Sequence, residues 1–428
     1  MFKQRVKVMA PMCKQALCAA DRKPARKFIS IAVVLFLAVL LNACSTPGDG
    51  DGRGEEVSGP RVTKLEVSRI NTPPTDFNDG WSESSLKAQG IDPAPIARLV
   101  KRIRQGGYVG IDSLVLARHG VLVSETYFGG IKRYSLHQTR SSFKSVTGLL
   151  VGIAVADGLL DLDEPVAPLI ARYHVTEDRD QRKQRITVRN LLQMQSGLDC
   201  SEMPGAGPQR ESKSNESSDK VAADFDLPMH AEPGTAWHYC SGSTFLLGVA
   251  LESALVRGGE RDLKPYLDGR LMSQLDIYHY SIGQTPKGHL PMHGGEKLRP
   301  RDLAKFGQLL LSEGRWRERQ VVPVDWVSEI LVPGVDTEWS WTSSVGTEAH
   351  LQRPSRYRFK WFQTLLRVQG RDYNLIHSWG NGGQFIFAVP DLDLVVVITG
   401  SNYGYSKIQD QKQVFHMLRH FILPAVIQ

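Results

Sequence analysis

Strand-like sequence stands at both ends of the foldable part of this chain, with helix-like sequence between. Ser113 to Ala117 and Val121 to Tyr127 alternate apolar and polar residues around His119-Gly120, a hairpin signal. The next such runs come only at Arg356 to Val368, Asp372 to Trp379, Gln384 to Val389 and Leu392 to Thr399. An unpaired strand leaves backbone N–H and C=O groups without partners, so one sheet must be assembled from these remote segments. The reading is an α/β (α+β) protein: an antiparallel sheet flanked by helices, with a mostly helical lobe, about residues 160–330, inserted. A length of 428 residues allows a core of that size.

Apolar spacing locates the helices. Ile96, Leu99, Val100 and Ile103 follow Asp92-Pro93 and end at Gly106-Gly107. Val146, Leu149, Leu150, Ile153 and Ala154 share one face of a helix from Ser141 to Asp157. Further helices are expected at Ile186 to Met194, Ser241 to Leu255, Arg301 to Ser312, the stretch after Pro323, and Gln409 to Ile422.

The net charge of +7 misleads. Eight of the 52 Lys and Arg, but one of the 45 Asp and Glu, fall in residues 1–43, and the rest carries 44 of each sign. That remainder gives no reason to expect nucleic-acid binding. The early basic residues precede an apolar run from Phe28 to Leu41, short for a spanning helix but suited to a signal peptide. Leu41-Asn42-Ala43-Cys44 resembles a bacterial lipobox, with Asn42 a departure. It implies a signal peptide over 1–43, a lipid on Cys44 and a membrane attachment through that lipid. Ser45 resembles the outer-membrane sorting pattern, so the expected location is the cell envelope, facing the periplasm. Residues 44–80 read as a flexible tether and the folded domain as 81–428.

Of five cysteines, Cys13 and Cys18 precede the expected cleavage point and Cys44 would carry the lipid. Cys200 and Cys240 remain, a plausible disulfide in an oxidising compartment. His279, His289 and His293 lack carboxylate or cysteine partners at metal-ligand spacing and read as surface or core residues. No metal, organic cofactor or obligate protein partner is expected.

Covalent acyl transfer needs a nucleophile, a group to move its proton, and oxyanion donors. Ser141-Ser142-Phe143-Lys144 offers the first two, because residues three apart share a helix face and burial can leave a lysine able to accept a proton. Alone the pattern is weak, since Ser141 could simply cap the helix. No Gly-x-Ser-x-Gly elbow is present for a Ser-His-Asp hydrolase.

The context is more specific. Gln138 to Ala154 resembles the first motif of the β-lactamase-related serine hydrolases, which include class C β-lactamases, some carboxylesterases, D-aminopeptidases and 6-aminohexanoate-dimer hydrolases. Ile186 to Asp199 and Gly294 to Leu309 resemble further segments of that family, and Arg301 and Asp302 in the latter read as capping and charge-pair residues. Tyr239-Cys240-Ser241 resembles its Tyr-x-Asn or Tyr-x-Ser motif. The resemblance implies that Tyr239 shuttles the proton of Ser141 with Lys144, and that Ser241 orients Lys144 or the substrate. Ser378-Trp379-Gly380-Asn381-Gly382-Gly383-Gln384 stands where many members have Lys-Thr-Gly, which this chain lacks. It looks like the Gly-x-x-Gly-Gln variant of the amide-hydrolase and esterase branches. Gly380, Asn381 and Gly382 would then approach the substrate, the backbone N–H groups of Ser141 and Asn381 forming the oxyanion hole. The resemblance spans about residues 93–422. It implies a β-lactamase/transpeptidase-like fold and hydrolysis of a small acyl substrate (ester, amide or β-lactam), with the missing lysine favouring ester or amide. The alternatives are a β-lactamase or D-Ala-D-Ala carboxypeptidase, and a penicillin- or peptidoglycan-binding lipoprotein that does not turn over.

Overall fold

The computed structural model of the chain describes residues 60–202, 214, 216–260, 262–337, 355–403 and 407–426. The expected signal peptide, Cys44 and the tether as far as residue 59 lie outside them.

The tether expected through residue 80 is corrected by a short helix, α1 (Lys64–Ile70). Thr63 accepts from the Glu66 N–H, and the Glu66 carboxylate accepts from the Thr63 N–H at 2.7 Å, a reciprocal cap. Lys101 pairs with Glu66 at 3.1 Å. Composition reads this polar segment as linker, because its partners lie on the helix α2 (Pro93–Arg104) and further along the chain.

Nine strands form one sheet in the order β1-β3-β2-β13-β12-β11-β10-β9-β8. They are β1 (Ser82–Glu83), β2 (Ile111–Arg118), β3 (Val121–Tyr127), β8 (Val335–Asp336), β9 (Arg356–Arg358), β10 (Trp361–Val368), β11 (Arg371–Gly380), β12 (Gln384–Val389) and β13 (Leu394–Gly400). The short pairs β4 (His137–Gln138) with β5 (Lys297–Leu298), and β6 (Arg315–Trp316) with β7 (Arg319–Gln320), stand apart. All neighbours in the large sheet are antiparallel except β1 with β3, so the sheet is mixed. The pairing of β2 with β13 joins the two remote strand sets, Leu116 facing Val396 and Leu114 facing Ile398.

The sheet is apolar on both faces. Val115, Ile386, Val395 and Val397 pack into one core layer, and Leu114, Phe387, Val396 and Ile398 into the other. The first layer is shared with α3 (Phe143–Ala156) and the helical lobe. Its larger helices are α4 (Ser241–Arg257), α5 (Pro300–Leu311) and α6 (Val324–Leu331). The second is closed by α2 and the carboxyl-terminal segment from Val414 to Val426. Leu149, Leu150 and Ile153 of α3 are essentially without solvent exposure, each worth roughly 1.5–3 kcal/mol of burial.

Two helices differ from expectation. That of Ile186 to Met194 is shorter, Val188–Leu192, started by a Thr187 cap and ended at Met194 with φ +59°. Ser141 precedes α3 in a 3-10 turn, Arg140–Ser142. The strand expected over 356–368 is broken by Phe359 and Lys360, both with positive φ. The turn holds no glycine or asparagine to signal it. Tertiary contacts hold it instead: Phe359 stacks on Trp326 at 4.6 Å, the Lys360 carbonyl accepts from Ser145 Oγ at 2.6 Å, and Lys360 Nζ reaches the Leu191 carbonyl at 2.7 Å.

Candidate active site

The turn that carries Ser141 is fastened on three sides. Thr139 donates through both its N–H and its hydroxyl to the Glu296 carbonyl, each at 2.9 Å. Ser142 Oγ meets Ser378 Oγ at 2.5 Å, tying the turn to β11. The end of β11 also comes very close: a Cβ on Gly380 would lie 2.6 Å from the Thr139 carbonyl oxygen and 3.0 Å from the Ser142 nitrogen. Glycine at 380 is therefore a packing requirement.

Lys144 is the first-turn residue of α3 that faces Ser141. Its Nζ lies 2.7 Å from Ser141 Oγ and donates to the His293 carbonyl at 2.9 Å, and the residue is 1% exposed. A neutral amine keeps two N–H groups and a lone pair. Donation to His293 leaves the lone pair able to face the serine hydroxyl. Tyr239 closes another side, its ring centroid 5.1 Å from Lys144 Nζ. Trp237, Tyr357, Phe362 and Trp379 pack around that ring at 5.9–6.4 Å and fix it.

Ser141, Tyr239, Ser241, Trp379 and Asn381 line one cleft of about 280 Å³, with Arg140, Glu202 and the His293–Gly295 segment. Larger depressions near Trp316, about 420 Å³, and near Arg356, about 550 Å³, contain no serine–lysine pair. The residues expected to act together thus come from the turn before α3, the loop before α4 and the end of β11, where sheet and helical lobe meet. Gln384 pins the Gly380–Gln384 turn, donating to the Gly400 carbonyl at 2.6 Å and to the Asn381 carbonyl at 3.3 Å. Gly382 turns with φ +91° under the ring of Tyr403.

Ser241 reaches the cleft but makes no hydrogen bond to Lys144. The His293 carbonyl holds that amine, and Ser241 Oγ is buried without a partner among the described residues. The Ser241 N–H donates to the Glu202 carboxylate, and Glu202 N–H to the Tyr239 carbonyl at 2.9 Å. Cys200 and Cys240 are joined in a disulfide, which places Glu202 against Tyr239-Cys240-Ser241. Glu202 lies in no motif of its own. Its position two residues after Cys200 was the available signal, given the expected pairing of Cys200 with Cys240.

Two further buried ionisable groups surround the lysine. Burial holds the Lys360 ammonium well below its ordinary value, nearby Lys144 adding to the depression and Glu202 opposing it. Glu296 has no exposure, and its carboxylate oxygens have only poorly aligned donors, the backbone N–H groups of Glu296 itself and Met292. Burial pushes its pKa up to about 8, only partly offset by backbone N–H groups and Lys144. Neither is signalled in the sequence, because no pattern marks a buried charge.

Of the three histidines, His289 Nδ1 lies 2.9 Å from Glu252, and His293 contributes its carbonyl to the site. Among the described residues no three His, Cys, Asp or Glu side chains form a metal-binding group. Arg301 and Asp302 lie away from the cleft in a buried ion network. Arg301 meets Asp79 at 2.9 Å, Glu83 at 3.3 Å and Glu125 at 3.5 Å; Asp302 meets Arg299 at 2.6 Å and Lys305 at 3.1 Å.

A mixed sheet between helical layers, with a serine–lysine pair where the lobe meets it, is the architecture of a serine-hydrolase class. The chain belongs to the beta-lactamase family, whose model matches residues 96–411. It is 26% identical over 297 residues to the 6-aminohexanoate-dimer hydrolase of Paenarthrobacter ureafaciens, covering 67% of this chain and 71% of that protein. A structure from Bacillus anthracis, provisionally assigned as a 6-aminohexanoate-dimer hydrolase, superposes with a TM-score of 0.59 at 18% identity, covering 84% of this chain and 87% of that one. A family VIII carboxylesterase superposes with a TM-score of 0.53 at 18% identity, covering 74% and 94%.

Proposed function

We propose that the protein is a serine hydrolase that cleaves an ester or small amide through an acyl-enzyme on Ser141. The observation that carries this reading is the 2.7 Å contact of Lys144 Nζ with Ser141 Oγ in a cleft shared with Tyr239 and Asn381. Lys144, with Tyr239, takes the hydroxyl proton as Ser141 Oγ bonds the acyl carbon. The backbone N–H groups of Ser141 and Asn381 receive the oxyanion. The proton then passes to the leaving oxygen or nitrogen, and water attacks the acyl-enzyme to release the acid and restore Ser141. The absence of Lys-Thr-Gly favours ester or amide over β-lactam, and the names of the amide-hydrolase and carboxylesterase relatives lie in the same direction.

The reading includes an envelope location. The lipobox-like Leu41 to Cys44 supports a lipid anchor on Cys44, and a Cys200–Cys240 disulfide suits an oxidising compartment. Cys44→Ser should leave the precursor uncleaved and without acyl mass; normal processing would remove the anchor from the reading.

The activity is tested by following a short-chain p-nitrophenyl ester and a chromogenic cephalosporin in wild type and Ser141→Ala, with intact mass at each time point. Ser141-dependent ester turnover with little cephalosporin turnover is expected. A stable Ser141 adduct without turnover would instead indicate a penicillin-binding protein, and equal rates in the variant would exclude Ser141.

A further inference from the structure

The cleft holds a cation that the catalytic scheme leaves unused. Arg140 directly precedes the nucleophile and lines the cleft with Ser141, Glu202, Tyr239 and Asn381. Its backbone sits at φ +48°, a region that L-residues with long side chains seldom occupy. Its guanidinium lies 4.6 Å over the ring of Tyr403, the ring that also covers Gly382. The guanidinium is thus stacked on the same ring that covers the Gly380–Gln384 turn, from a backbone held in an unfavourable conformation.

This arginine is also chemically incomplete. Its Nε is buried without a hydrogen-bond partner, and among the described residues no carboxylate lies within ion-pair distance of it. The difference lies in the ion pairs: Arg301, whose Nε also lacks a well-formed hydrogen bond, has Asp79, Glu83 and Glu125 around it, Arg299 has Asp302, and Arg118 donates to the carbonyls of Leu392, Gln89 and Gly90. Partial desolvation of a guanidinium without an anion is costly, and its fork of donors matches a carboxylate. Glu202, the acid in the cleft, belongs to the Tyr239–Ser241 wall, where it accepts the Ser241 N–H.

We propose that Arg140 is the specificity determinant for an anionic group on the substrate, so that the preferred esters or amides carry a carboxylate close to the scissile bond. The inference rests on the acyl-transfer reading of this cleft. A charge-assisted bidentate pair of this kind corresponds to about a 10- to 100-fold preference.

The test compares three esters with the full chain: p-nitrophenyl butyrate, mono-p-nitrophenyl glutarate with the carboxylate on the acyl side, and 3-carboxy-4-nitrophenyl butyrate with it on the leaving group. Wild type should favour one of the two anionic esters over the neutral one in kcat/KM, and which one tells the side of the scissile bond that Arg140 serves. In Arg140→Met that ratio should fall about 10- to 100-fold, chiefly through KM. Arg140→Lys, which keeps the charge but loses the fork, should fall several-fold. If Arg140→Met does not fold, as judged by circular dichroism, the Lys variant decides, and an undiminished ratio there overturns the proposal. No preference for either anionic ester in wild type also overturns it. Binding is read apart from turnover in Ser141→Ala, by calorimetric titration of glutaranilic acid and of 3-butyramidobenzoic acid, each against its methyl ester. Tighter binding of either acid that is lost with Arg140→Met supports the role of Arg140 even if ester turnover fails, whereas equal binding of acid and ester in both pairs refutes it even if turnover is normal.

Discussion

Removing the Cys200–Cys240 disulfide should damage stability and catalysis together. The bond closes a loop across 40 residues of sequence, and the chain-entropy relation for a loop of that length gives about 4 kcal/mol. For a folded region of this size that corresponds to roughly 5 °C in Tm. The catalytic consequence follows from what the bond holds. Cys240 lies between Tyr239 and Ser241, and Cys200 carries the segment on which Glu202 receives the Ser241 N–H. Without the link, Tyr239 keeps its aromatic packing but loses the covalent fix on its loop, and a misplacement near 1 Å costs on the order of 10- to 100-fold in rate. The assay is urea unfolding by tryptophan fluorescence and ester turnover for wild type and Cys200→Ala/Cys240→Ala, with thiol titration of the denatured, unreduced wild type. Stability lower by about 4 kcal/mol and at least a tenfold loss of kcat are expected. Coincident unfolding curves with equal kcat, or two more free thiols in the denatured wild type than in the double variant, would refute the reasoning.

Three other outcomes are expected. Gly380→Ala puts a methyl group 2.6 Å from the Thr139 carbonyl oxygen, so it should cost about 1–3 kcal/mol in urea unfolding and lower kcat by displacing the nucleophile's turn; unchanged kcat would show that β11 does not position Ser141. Arg301→Ala leaves Asp79, Glu83 and Glu125 around an empty site and should destabilise by about 3–5 kcal/mol; a loss under about 1 kcal/mol, the range of a surface pair, would show the network to be solvated. Glu296 keeps its proton in the folded protein up to about pH 8, while the unfolded chain loses it near pH 4.5. Its contribution to stability is therefore complete below pH 4.5 and is lost as pH rises toward 8. Glu296→Gln, which cannot ionise, should match wild type in Tm at low pH and exceed it increasingly across that window; a constant difference would contradict the raised pKa.

That Ser141, Lys144 and Tyr239 meet in one place was legible in the sequence because they lie in short runs of fixed spacing. Ser141 and Lys144 are three residues apart beside a helix whose apolar face is plain, and Tyr239-Cys240-Ser241 opens another. The strand alternation at the two ends of the chain likewise demanded one sheet, which the β2–β13 pairing supplies. Local patterns of this kind survive because helix and strand periodicities are set by backbone geometry. Contacts across the chain decided the rest. The turn at Phe359–Lys360 forms without a turn residue because Trp326, Ser145 and Leu191 hold it. The segment from Thr63 to Asp79 is ordered by Lys101 and Arg301, partners that composition does not reveal. Lys144 is held by the His293 carbonyl rather than by Ser241, and a backbone carbonyl carries no signature in its side chain. Glu202, Glu296 and Arg140 acquire their chemistry from burial and from what stands beside them. An ionisable group's surroundings are a property of the fold, so only the tertiary structure could show which of this chain's many charges face the nucleophile.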